Sequence, residues 1–128
     1  MSALFLPSRE ASLAVLRYSM QRARRDGSRQ PVLLIETTPG SDVLPIVGFV
    51  LGHLRSCDCL GVLMPGQSLL VLLDGHGSPF QLQRHLDSLK TLLQSDVLPL
   101  SAHLRFEARV FPEDGASDDQ LLRPILSF

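Results

Sequence analysis

Arg55 and Asp58 are the residues whose types and spacing best suit recognition chemistry in this chain. Arg55-Ser-Cys-Asp58 places a planar guanidinium, which donates in pairs, three residues from a carboxylate, which only accepts. Together they suit a flat ligand with acceptors on one side and donors on the other. Lys90 is the only lysine and all other basic side chains are arginine, which favours bidentate contacts over simple solvation. At such a spacing Arg55 and Asp58 also suit a local ion pair at a helix end, and Arg84 with Asp87 an ordinary helical pair.

Other reactive groups read more simply. Cys57 and Cys59 lie one residue apart, cannot make a disulfide framework, and read as two small buried residues. Only His53 lies near them, so no metal set is expected, and His85 and His103 add no metal spacing. Asp74-Gly-His76-Gly77 reads as a solvated turn, because no nucleophile or orienting partner accompanies the imidazole. Ser56 and Ser68 lack triad context. Glu113, Asp114, Asp118 and Asp119 gather before a short helix, where acidic residues are favourable. No catalytic residue and no cofactor are assigned.

The 128 residues, 45% hydrophobic, suit a single domain over 1–128 with a real core. A formal net charge of −1 provides no field that would steer the chain to nucleic acid or a membrane. The apolar start Met1–Pro7 is short and lacks a basic leader, and no apolar run is long enough for a transmembrane segment. The expectation is a cytoplasmic protein.

The elements that must position these residues follow from period and punctuation. Ser8 caps a first helix carrying Leu13, Leu16 and Met20 and ending at Asp26-Gly27, with Arg17, Arg22, Arg24 and Arg25 in its second half. Pro31–Ile35 is a continuous apolar run suited to a central strand, broken by Pro39-Gly40. A second helix from about Asp42 carries an apolar stripe of Leu44, Val47, Leu51 and Leu54. Residues 57–73 read as a hairpin with Leu60, Val62 and Met64 on one side and a type II turn at Pro65-Gly66. Ser78-Pro79 starts a third helix with Leu82, Leu86, Leu89 and Leu93 on one face. The last strand alternates strictly, with Leu104, Phe106, Ala108 and Val110 inward and Arg105, Glu107 and Arg109 outward. Ser117 and Gln120 form a capping-box pattern for a short helix, stopped by Pro124. The fold class is α/β, an α+β sandwich with a mixed, mainly antiparallel central sheet flanked by helices.

This order of elements is similar to that of the GGDEF family, whose fold resembles the catalytic domain of nucleotide cyclases. Arg55-Ser-Cys-Asp58 stands where that family has its Arg-x-x-Asp inhibitory site. Ser68-Leu-Leu-Val-Leu-Leu73 resembles the apolar strand after the signature. Val110-Phe-Pro-Glu-Asp-Gly115, leading into Leu121-Leu122, is similar to the family's late loop and helix. The departures lie in the catalytic parts. Met64-Pro-Gly-Gln-Ser68 replaces the signature, without its tip carboxylate, and Glu36 stands where the family has a metal-binding aspartate. The Phe-Lys and Asn-Asp elements have no counterpart, and Pro39–Asp42 is too short to hold them. Joining two GTP molecules needs metal ions held by paired carboxylates, so the chain is not expected to be an enzyme.

What the resemblance leaves is binding. The family's site takes cyclic di-GMP with help from a second arginine in the helix after the hairpin, a position that Arg84 fits. Guanine offers O6 and N7 to an arginine and donors to an aspartate. The resemblance therefore implies a catalytically inactive receptor or regulatory domain, with Arg55, Asp58 and Arg84 on cyclic di-GMP and a possible homodimer. The alternative is a scaffold subunit that binds a protein partner and no nucleotide, docking through the arginine-rich end of the first helix or through Leu4–Leu6.

Overall fold

The computed structural model describes residues 7–38, 42–55, 57–75, 78–96 and 103–123. The expectations for Leu4–Leu6, Pro39-Gly40, Ser56, His76 and Pro124 lie outside the described residues.

Along the chain come α1 (Arg9–Asp26), β1 (Gln30–Thr37), a 3-10 turn (Leu44–Ile46) leading into α2 (Val47–His53), β2 (Cys59–Met64) and β3 (Ser68–Leu72). Then follow α3 (Pro79–Asp96), β4 (Leu104–Phe111) and α4 (Asp118–Leu121). The helix starts use the expected chemistry. Ser8 Oγ accepts from Ala11 N–H at 3.1 Å, Ser78 and Gln81 bond reciprocally, and Ser117 Oγ accepts from Gln120 N–H at 3.3 Å. Gly27 ends α1 at φ +67°, and Gly66 takes φ +76° in the hairpin turn after Pro65, as a type II turn requires.

The four strands lie in the order β2-β3-β1-β4, and every neighbouring pair is antiparallel. The expected mixed sheet is thus antiparallel among the described strands. β1 and β2 do run the same way, but β3 inserts between them, as in a split β-α-β unit. The result is an α+β fold.

Alternation in the central strands divides the core into two layers. Leu33 and Ile35 of β1 and Leu69, Val71 and Leu73 around β3 pack beneath α2 and α3. Val32, Leu34, Leu70 and Leu72 face the other way, onto Leu16, Met20 and Ala23 of α1 and Leu121 of α4. β1 and β3 are therefore buried on both faces, which explains their unbroken apolar runs. On the α1 side, Ser12 Oγ donates to Ser8 O and accepts from Val62 N–H, each at 2.8 Å. Gly61 makes that approach possible, since a Cβ there would sit 2.9 Å from the Ser12 side chain.

Three expectations change. The buried stripe beside α2 is Val43, Ile46, Val47 and Val50, whereas Leu44 and Leu51 are exposed. Met64 is exposed because the strand register shifts between Val62 and Met64. Arg109 points away from α2 and α3 as expected, but is buried rather than solvated. Its guanidinium donates to Glu107 and to the carbonyls of Leu121 and Arg123, tying α4 to the sheet. Among the described residues no helix is long and apolar enough to cross a membrane.

Candidate functional site

α2 ends at His53, Leu54 is extended, and the chain turns through 55–58 into β2. The turn closes on Asp58 N–H donating to Arg55 O at 3.0 Å. The Asp58 carboxylate is the hub. Oδ2 accepts from Arg55 N–H at 2.9 Å and from Arg55 Nε at 3.4 Å. Oδ1 accepts from Asp74 N–H at 3.1 Å, and the Cys57 thiol lies 3.9 Å away. Asp74 follows β3, so one carboxylate ties the α2–β2 turn to the end of the next strand. The Asp58 side chain is 1% exposed and that of Arg55 is 52% exposed. Burying a carboxylate this fully is tolerable because backbone N–H groups and a guanidinium replace its water.

Arg55 and Asp58 are thus together, with Arg55 facing solvent. Arg84 lies on the outer face of α3, exposed, in a shallow concavity with Phe80, Asp87, Ser88 and Leu92, and among the described residues no hydrogen bond or ion pair joins it to Arg55 or Asp58. No partner holds its guanidinium among the described residues, and Asp87 instead accepts from Gln83 Nε2 at 3.1 Å. Both thiols beside Asp58 are exposed, contrary to the burial expected from their size.

At the hairpin tip, Asp42 is a residue that the sequence reading placed only at a helix start. Its Oδ1 accepts from Leu44 N–H at 2.8 Å, and Val43 N–H donates to Gly66 O at 3.0 Å. A Cβ on Gly66 would lie 3.8 Å from Asp42 Oδ1, so a carboxylate from the loop after β1 does approach the tip. Among the described residues no three His, Cys, Asp or Glu side chains gather as a metal site would require.

The arginines of α1 divide into two groups. Arg17 pairs with Asp118 at 2.7 Å, and Arg24 bonds the Ala116 carbonyl and lies 5.1 Å from the centre of the Phe111 ring. These two fasten α4 and its loop to α1. The Arg17 bond also holds the Asp118 carboxyl below its ordinary range. Arg22 and Arg25 remain exposed.

The surface least explained by internal packing is the outer side of the 3-10 turn and α2. Leu44, Phe49 and Leu51 are exposed there, and no Asp, Glu, Lys or Arg lies between Val43 and Leu54, His53 at the end of α2 being the one basic residue. Gly48 and Gly52 lie on the same side, and a Cβ on either would meet nothing within 4 Å. Helices apolar on both faces are ordinarily buried on both, and among the described residues nothing covers the outer face of this one. The sequence signal for this surface is the run itself, which is apolar beyond a single stripe. No protein-family model matches this chain, and no curated protein shows significant similarity to it.

Proposed function

We propose that this domain is a non-catalytic interaction module that docks an apolar helix of a partner protein on the outer face of α2. The observation that carries this reading is the uncharged, exposed surface of Leu44, Phe49 and Leu51 around Gly48 and Gly52. Glycine weakens a helix by roughly 1 kcal/mol relative to alanine. Nothing within the described residues requires that cost at 48 or 52, and a closely approaching helix would. The order of elements accords with the resemblance to the GGDEF family, and the reading assigns this chain the fold of that family without its catalysis. A photo-crosslinking residue at position 49, introduced in the native cell, is expected to give a defined adduct that Leu44→Asp removes. An adduct no stronger than that from position 25 on α1 would refute the docking face.

A second reading, a cyclic di-GMP receptor, is favoured by the exposed Arg55 and by Arg84, whose guanidinium has no partner among the described residues. It requires Asp58 to release its backbone donors, or the two arginines to bind without it. Calorimetry separates the readings: heat with cyclic di-GMP that Arg55→Ala abolishes supports the receptor, and no heat from folded protein excludes it.

A further inference from the structure

We infer that the free edge of β4 is a homodimer interface, where β4 pairs antiparallel with β4 of a second copy about Phe106. Among the described residues β4 is an outer strand and pairs only with β1. Its outward groups follow from Pro31, which stands opposite Val110, has no N–H, and gives its carbonyl to Leu73 N–H at 3.1 Å. Alternation along the ladder then directs the N–H and C=O of Leu104, Phe106, Ala108 and Val110 off the sheet.

The two ends of this row are capped from within the chain. Val110 N–H donates to Asp114 Oδ2 and Val110 O accepts from Asp114 N–H, both at 2.8 Å. Leu104 O accepts from Arg105 Nη1 at 2.9 Å. Between the caps, Phe106 and Ala108 have no partner for their outward groups among the described residues. The opposite edge differs: Val62 N–H of β2 is taken by Ser12 Oγ, with α1 packed against the strand.

Charge selects both the occupant and the register. A two-fold centred on Phe106 sets Arg105 opposite Glu107 of the partner subunit, and Glu107 opposite Arg105 of the partner subunit. These are non-hydrogen-bonded positions, where side chains come closest. Centring on Arg105 or Glu107 would oppose like charges, and centring on Ala108 would need the Val110 groups that Asp114 already holds. Only the Phe106 register joins complementary charges without displacing the Val110 bonds. It uses Leu104 O, which accepts from the Arg105 side chain and keeps a second lone pair, and it gives a continuous eight-stranded sheet across two copies.

The test is sedimentation velocity of the full chain across the micromolar range, with circular dichroism as the check on folding. The wild type is expected to dimerise. Arg105→Glu should raise the dissociation constant about tenfold or more, and combining it with Glu107→Gln, which removes the opposed carboxylate without setting a cation against the buried Arg109, should recover part of that loss. Ala108→Pro removes an outward N–H but no bond to β1, and should leave a folded monomer. Phe49→Asp should leave the dimer intact, which distinguishes this interface from the α2 docking face. A wild type that stays monomeric overturns the inference, as does a dimer unchanged by Arg105→Glu and Ala108→Pro, a double variant Arg105→Glu/Glu107→Gln that recovers nothing, or a dimer lost with Phe49→Asp.

Discussion

Asp58→Ala is expected to be costly in a way that Arg55→Ala is not. The substitution removes the acceptor of two backbone N–H groups on different elements. The Asp74 N–H is partly buried, and leaving it without a partner costs about 1–2 kcal/mol; the Arg55 N–H faces water and costs about 0.5 kcal/mol. The pair itself adds little, because a guanidinium half in solvent contributes about 0–1 kcal/mol. Asp58→Ala should therefore lose about 2 kcal/mol, a substantial part of the 5–15 kcal/mol typical of a domain. Urea denaturation followed by circular dichroism should place its midpoint roughly 1 M below wild type, with Arg55→Ala within about 0.3 M of wild type. Equal, small shifts for both variants would refute the structural role of Asp58 and return its carboxylate to the candidates for ligand binding.

Two further perturbations test other joints. Gly61→Ala forces a methyl group against the Ser12 side chain, 2.9 Å away, and should lower stability by about 1–3 kcal/mol in the same denaturation experiment; a neutral effect would refute the close packing of α1 on β2. Asp118 is held below its ordinary range mainly by Arg17, so its contribution is present above the unfolded carboxylate value near 4 and lost as pH falls through the lower folded value. The stability difference between wild type and Asp118→Asn should be about 0.2–1 kcal/mol at neutral pH, shrink with salt and disappear in that acid window; a difference constant across the window would refute the pair.

Some of this was legible before the fold was known, for identifiable reasons. The apolar runs of β1 and β3 mark strands buried on both faces, and Ser8, Ser78 and Ser117 announce helix starts whose caps form as their chemistry dictates. Arg109 shows where alternation misleads. Polar residues on alternate positions of β4 suggest solvent, but α1 and α4 cover that face of the sheet, and the guanidinium instead satisfies carbonyls at the end of α4. Period reports which residues share a face, not whether that face is wet.

The candidate site was harder to read because its decisive partner is remote. Arg55-Ser-Cys-Asp58 is visible as a local pattern, but the β2–β3 hairpin brings Asp74 N–H to the same carboxylate, and no spacing rule contains that closure. The same limit acts in reverse on α2. With no Asp, Glu, Lys or Arg between Val43 and Leu54, more than one phase of the helix offers an apolar stripe, so the sequence cannot choose between Leu44, Val47, Leu51 and the stripe that the sheet actually buries. That degeneracy has a physical consequence. A segment that could bury either face, and buries only Val43, Ile46, Val47 and Val50 within this chain, keeps a second apolar face at the surface. The failure to predict its phase and the proposal that a partner helix covers its outer face therefore rest on the same property of the residues.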